Sequence, residues 1–386
     1  MRQVSEKKVV LLVDDEPANI QIVNSILKDE YKIRVATNGA KALELVAATP
    51  PPDLILLDVM MPDMDGYEVC TRLKTVPATR DIPVVFLTAQ TETSDETRGF
   101  EVGAVDYIHK PFSPAVVQAR VHTHLTLRGV RQQLAQQLDT IKQELEIARE
   151  IQSSILPDQV PAIPGLDLAA RYLPMTQVAG DFYDFIVIDE KHVGILVADV
   201  SGHGMPAALI ASMLKIALAA QADCAAEPAR VLNGLNQTLC GKFQGHYVTA
   251  AYVYLDMEKR ILRYAGAGHP PVLMCDGTTG KVRDLDENGF FLSWTTDATY
   301  SSREVRLGQG DWIILYTDGI TETRNREREE FGVERFRAFT ENNSFCSAEE
   351  FATKLLDELQ HWSGHAADEE PDDDVTLVVA HCKDLE

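Results

Sequence analysis

Short apolar runs alternating with segments of helical length set the pattern of the first third of the chain. Val9 to Val13, Ile33 to Ala36, Leu54 to Leu57, Val84 to Leu87 and Tyr107 to His109 read as strands. Five strands alternating with helices predict an α/β domain, a doubly wound five-stranded parallel sheet, over residues 1–124.

The pattern then changes. From Leu125 to Ile155 the chain reads as one long polar helix without Gly or Pro after Gly129. Alternate steps of four and three visit Leu127, Arg131, Leu134, Leu138, Ile141, Leu145, Ala148, Gln152 and Ile155, and seven of these nine positions are apolar. That spacing predicts a helical coiled-coil linker over 125–157, with an amphipathic helix lying on its own domain as the alternative. Arg131 and Gln152 interrupt the seam, as expected of a marginal parallel homodimer. Pro157, Pro161 and Pro164 mark a boundary. Beyond it, over 158–386, hairpin-like strands alternate with helical segments at Pro206 to Ala220, Pro228 to Cys240 and Ala348 to Trp362, which predicts an α+β layered domain. A short acidic cluster spans Asp368 to Asp374.

Composition narrows the class. A chain of 386 residues with 45% hydrophobic and 25% charged residues is expected to be soluble and folded, in two or three domains. Its net charge of −23 repels phosphate backbones and anionic headgroups, so neither nucleic acid nor membrane is an expected partner. The opening MRQVSEKKVVLLVDDE carries only a five-residue apolar run, which predicts no export signal, and a cytoplasmic location is expected. Six scattered cysteines without a Cys-x-x-Cys pair read as reduced structural thiols.

Candidate chemistry begins at the strand ends, where a doubly wound sheet binds ligands. Asp14 and Asp15 follow the first strand, Asp58 closes the third, Thr88 closes the fourth and Lys110 follows the fifth. Each aspartate alone fits a turn or a helix cap. Together they describe a carboxylate nucleophile, Asp58, with Mg²⁺ held by its acidic neighbours and Lys110 set against a phosphoryl oxygen.

The stretches VDDEP, LLDVMMPDMDGYE, FLTA and YIHKPF, at these spacings, resemble the receiver domain of two-component response regulators. The resemblance implies that Asp58 is the phosphoacceptor, that Asp14, Asp15, Asp58 and the Met60 carbonyl hold Mg²⁺, and that Thr88 and Tyr107 form a switch pair with Lys110 beside them. It also implies a cis Lys110–Pro111 peptide and a cognate histidine kinase as partner.

A second acidic set lies downstream. In GDFYDFIVIDEKHVGILVADVSGHG, Asp181 and Asp199 are equidistant from Glu190, so a hairpin turning there sets the two carboxylates side by side. The strand Trp312 to Thr317 runs into Asp318, and Asp373 and Asp374 precede the strand Val375 to Ala380. Hard oxygen ligands without His or Cys point to two Mn²⁺ or Mg²⁺ ions activating a water against a phosphate ester. The plain alternative is a set of Asp turns with an acidic surface loop.

GDFYD, ADVSGHG, YVTAAYVYLD, AGAGHPP, LYTDGITE, FGVERF and DDDVTL resemble, in order and spacing, the PPM family of metal-dependent serine/threonine phosphatases, and within it the SpoIIE-type branch. The resemblance implies an α/β/β/α sandwich. It implies metal at Asp181, Asp199, Asp318 and Asp373, with Asp199 bridging and the Val200 carbonyl contributing, and with Asp374 a weaker candidate than Asp373. Its substrates there are phosphoserine regulators of the anti-anti-sigma (STAS) type. His203 is a candidate general acid or a structural histidine in a Gly turn, and His269 is expected to shape its loop. Ala179, where relatives carry Gly, and Asn288 to Trp294, which lacks a Pro-Leu-Gly, depart from the pattern.

The reading is a response regulator whose phosphorylation at Asp58 controls a serine/threonine phosphatase. A phosphorylation-dependent, non-catalytic adaptor is the alternative, disfavoured because all four metal acids are present. A DNA-binding output is excluded by the absence of a basic recognition helix.

Overall fold

The structure, a computed structural model, describes residues 7–89, 93–243, 245–364 and 371–383. The chain divides into two units, Met1–Ile141 and Lys142–Glu386.

In the first unit the order is β1 (Val9–Val13), α1 (Pro17–Leu27), β2 (Lys32–Ala36), α2 (Gly39–Val46), β3 (Leu54–Asp58), α3 (Gly66–Thr75), β4 (Val84–Thr88), α4 (Thr93–Glu101), β5 (Asp106–His109) and α5 (Pro114–Ile155). The strands form a parallel sheet in the order β2-β1-β3-β4-β5. Residues of β1, β3 and β4 are buried throughout, as unbroken Val/Leu/Ile runs require in a sheet covered on both faces. Asn38 and Asp65 start α2 and α3 by accepting the backbone N–H of Lys41 and Glu68. Val13 pairs with Leu57, so Asp14 and Asp58 emerge at one level where the strand order reverses.

Helix α5 is 42 residues long, starting eleven residues before the predicted linker. Val117, Val121 and Leu125 bury its first turns against the sheet, and Asp106 accepts hydrogen bonds from Arg120 and pairs with His124. Leu127, Leu134, Leu138 and Ile141 of the predicted seam are about half exposed. Gln152 departs from that seam: its side chain is buried and hydrogen-bonded to backbone, because the helix end sinks into the second unit's core.

The second unit continues with β6 (Leu166–Leu173), β7 (Phe182–Asp189), β8 (His192–Val200), α6 (Met205–Ala219), α7 (Pro228–Leu239), β9 (Val248–Asp256), β10 (Ile261–Ala267), β11 (Val272–Cys275), β12 (Val282–Leu285), β13 (Asn288–Gly289), β14 (Arg303–Arg306), β15 (Trp312–Tyr316), α8 (Asp318–Glu322), α9 (Gly332–Asn343), α10 (Ala348–Ser363) and β16 (Val375–Cys382). One sheet runs β13-β10-β9-β8-β7 with β14 beside β10, and the other runs β12-β11-β15-β16-β6. Inward-facing apolar positions of both sheets, such as Ile195, Val253, Leu315 and Val378, make the central core. Helices α6 and α7 cover one sheet, and α9 and α10 the other, giving the α/β/β/α sandwich. Helix α9 was not among the predicted segments; its buried positions, Phe336 and Thr340, are too few for a clear apolar stripe. Part of the acidic cluster, residues 368–370, lies outside the described residues. The six cysteines are free thiols.

Candidate functional site

At the carboxyl end of the parallel sheet, Asp14 and Asp58 are buried and Asp15 is exposed, and oxygens of the three lie within 4.8 Å of one another. Lys110 Nζ donates to Asp14 Oδ2 at 2.9 Å and to Asp58 Oδ2 at 2.7 Å. Burial pushes the Asp58 carboxyl up to about 6; the Lys110 hydrogen bond opposes this and the Asp14 charge adds to it. Burial works against the Lys110 ammonium, but its bonds to Asp58 and Asp14 win and hold its proton more tightly than usual. The Met60 N–H donates to Asp58 Oδ1 at 3.4 Å, and the Lys110–Pro111 peptide is cis. Thr88 is buried at the end of β4, and the Tyr107 ring packs against Phe86 and Phe100. A Cβ at position 99 would fall 1.5 Å from the Tyr107 hydroxyl, so any other residue there would displace the Tyr107 ring.

In the second unit, Phe182 pairs with Ala198, so Asp181 and Asp199 face one another one step beyond the β7–β8 ladder. Asp181 is buried, and its Oδ2 accepts from Thr317 Oγ1 at 2.7 Å and Thr376 Oγ1 at 2.5 Å. Burial and the neighbouring Asp199 charge push its carboxyl well above the usual range despite these donors. Asp199 is pushed up to about 7 by burial, then by the charges of Asp318, Asp373, Asp374 and Glu322. Asp318 opens α8 and is raised by burial and Asp373. A Cβ on Gly319 would lie 2.0 Å from the Asp374 carbonyl, so only glycine lets the two acid-bearing loops meet.

Asp373 and Asp374 differ sharply. Asp373 is exposed, whereas Asp374 is buried and its two oxygens accept the N–H groups of Met175 and Gly180, each at 2.7 Å. Asp374 thereby ties the loop before Asp181 to β16. His203 is exposed between Gly202 and Gly204 and makes no hydrogen bond or ion pair among the described residues. Instead His246 Nδ1 hydrogen-bonds the Ser201 carbonyl at 2.8 Å. His269 is buried against Thr249 Oγ1, and burial lowers its pKa to about 3, so it is neutral.

Thr317, Thr376, Glu322 and Gln152 were not singled out as site residues by sequence. Glu322 follows Asp318 by one helical turn, a spacing that sets both on one face. The threonines become neighbours through β15–β16 pairing, where Thr317 N–H donates to the Thr376 carbonyl.

Both clusters present only oxygen donors. Carboxylates crowded together and withdrawn from water hold protons unless a cation offsets them, which suits Mg²⁺ or Mn²⁺. No trio of acids among the described residues of the second unit gathers as tightly as that around Asp58.

A parallel sheet with acids at its switch point, followed by a two-sheet sandwich with acids at its strand ends, defines a signalling protein with a receiver and a phosphatase half. Residues 10–122 match the Response regulator receiver domain, and residues 189–383 match Stage II sporulation protein E (SpoIIE); the chain belongs to the SpoIIE family and is a metal-dependent PPM serine/threonine protein phosphatase. It is 33% identical over 266 residues to Phosphoserine phosphatase RsbU of Bacillus subtilis (strain 168), covering 67% of this chain and 74% of that protein. Phosphoserine phosphatase RsbP of the same organism is 31% identical over 184 residues, 46% of this chain and 45% of RsbP. The SiaA-PP2C domain of Pseudomonas aeruginosa superposes with a TM-score of 0.57 at 26% identity, covering 64% of this chain and 98% of that domain. No helix among the described residues is long and apolar enough to cross a membrane.

Proposed function

We propose that a histidine kinase phosphorylates Asp58 and that this event controls hydrolysis of phosphoserine on a STAS-type anti-anti-sigma protein. The observation that carries the reading is the pairing of two acid clusters on one chain, one closed by a lysine and one not. At Asp58, Lys110 already bridges two carboxylates, so its ammonium is placed to follow a phosphoryl oxygen, with Thr88 offering a hydroxyl and Asp14, Asp15 and the Met60 carbonyl suited to Mg²⁺.

In the sandwich, Asp181, Asp199, Asp318, Asp373 and the Val200 carbonyl are the ligands we assign to two Mn²⁺ or Mg²⁺ ions, with Asp199 between them. When bound, the ions supply an activated water and neutralise the phosphoryl charge. Thr317 and Thr376 fix the Asp181 carboxylate, and Asp374 holds the loop that carries it. His203, exposed between Gly202 and Gly204, is assigned to protonate the leaving serine. We divide the chain into a receiver (1–124), a linker (125–157) and a phosphatase (158–386), with the exposed Leu127–Ile141 stripe pairing two copies as a coiled coil.

The test is turnover of a phosphoserine peptide by the full chain. It is expected with Mn²⁺ or Mg²⁺, absent in EDTA and absent in folded Asp199→Ala. Turnover surviving both would overturn the reading.

A further inference from the structure

Beside Asp373 the sandwich carries a cavity of about 810 Å³ to which one loop contributes three arginines, in a chain whose net charge is −23. Arg324, Arg326 and Arg328 line it on one side and Glu322, Asp372 and Asp373, the acids beside the metal site, complete the charged lining. The three arginines come from the sequence Arg324-Asn325-Arg326-Glu327-Arg328-Glu329; Asn325 lines the cavity with them, whereas Glu327 and Glu329 do not.

The loop holding them is rigidly made. Residues 324 and 330 form an antiparallel bridge, and Arg324 pairs with Glu330 at 3.1 Å. The Asn325 N–H donates to the Glu329 carbonyl at 3.0 Å, and its Oδ1 accepts the N–H groups of Glu327 and Glu329. Arg326 spends one donor on the Gly364 carbonyl at 3.1 Å. Arg328 is exposed and makes no ion pair among the described residues, yet its backbone is left-handed at φ 65°. A non-glycine residue there costs about 1 kcal/mol, against which the Arg328 N–H donates to the Asn325 carbonyl at 2.9 Å.

We infer that Arg324, Arg326 and Arg328 form a docking subsite for acidic side chains flanking the phosphoserine of the substrate. This rests on the phosphatase reading and deepens it by naming the substrate's chemistry. The phosphoserine reacts among Asp181, Asp199, Asp318 and Asp373, a region that repels an anionic polypeptide. The arginine wall opens directly from Asp373, so it receives the chain on one side of the reacting residue. Guanidinium forks pair with carboxylates in two-point fashion, which selects Asp or Glu over neutral side chains.

The experiment compares the full chain with Mn²⁺ on p-nitrophenyl phosphate and on two phosphoserine peptides of equal length, one with Asp and Glu flanks and one with Ser and Ala flanks. The parent is expected to favour the acidic peptide by about tenfold in kcat/KM, through KM, and less at high salt. Arg328→Asn, which tolerates the left-handed backbone, and the Arg326→Gln/Arg328→Asn pair are expected to bring that ratio toward one at an unchanged melting temperature. A parent without the preference, or folded variants that retain it, would overturn the subsite. A parent inactive on all three substrates would instead overturn the phosphatase reading beneath it.

Discussion

Gln152 grips the peptide unit of Ala179 through both of its polar atoms: its Nε2 donates to the Ala179 carbonyl at 2.7 Å, and its Oε1 accepts the Ala179 N–H at 3.1 Å. Gly180 and Asp181 follow at once, the first bonded to Asp374 and the second to Thr317 and Thr376. The end of α5 is therefore tied to the loop that carries an acid of the phosphatase site.

Gln152→Ala leaves a buried N–H and carbonyl without partners, at a cost of about 1–3 kcal/mol. The melting temperature of the sandwich is expected to fall and Mn²⁺ affinity to weaken. Gln152→Glu is expected to do no better, because its second oxygen cannot donate to the Ala179 carbonyl. A Mn²⁺ titration that is unchanged in both variants would show that the grip does not position the site.

Asp181 and Asp199 hold their protons more tightly in the folded, metal-free state than carboxyls in an unfolded chain, which titrate near about 3.9. Their contribution to stability is thus greatest at low pH and is lost as pH rises toward about 7, the Asp199 value. In EDTA the urea midpoint of the phosphatase is expected to be lower at pH 8 than at pH 5.5, and Asp199→Asn should flatten that slope. Asp106 and Asp167, whose values are lowered, titrate below this window. Saturating Mn²⁺ should raise the pH 8 midpoint most, since binding needs the deprotonated acids. A midpoint in EDTA that climbs from pH 5.5 to pH 8 would contradict this electrostatic picture.

Thr376→Val and Thr317→Val each remove a hydroxyl that favours the charged form of Asp181. The pH at which Mn²⁺ half-saturates the enzyme is expected to move up in both. An unmoved pH profile would mean that the two donors only pack the β15–β16 junction.

The fold was legible because both halves advertise it in period and composition. Val9–Val13 and the other parallel strands are uninterrupted apolar runs, and the acids sit where those runs end. The Asp181–Asp199 pair was also legible, since a hairpin turning near Glu190 leaves one register. Gln152 was not: its position in the seven-residue repeat marks a polar interruption, and only burial in a distant core reveals its bond to Ala179. Thr317 and Thr376 escape for a similar reason, being 59 residues apart and joined only by β15–β16 pairing. Glu322 could have been found from its spacing of four from Asp318.

If α5 transmits the state of Asp58, its phase matters. Seven residues inserted after Lys142 keep the heptad phase, whereas four introduce a stutter that locally unwinds a coiled coil. Response to a phosphoryl mimic is expected to survive the first and fail in the second. Equal behaviour of both insertions and the parent would make the helix a tether.

The most direct measurement is the rate of phosphoserine-peptide hydrolysis by the full chain with and without acetyl phosphate, in the parent and in Asp58→Ala, with intact mass read on the same samples. The account predicts one added phosphoryl group on the parent accompanied by a changed hydrolysis rate, and neither in Asp58→Ala. A parent that takes up the phosphoryl group with no change in rate, or an Asp58→Ala protein that responds as the parent does, would contradict it.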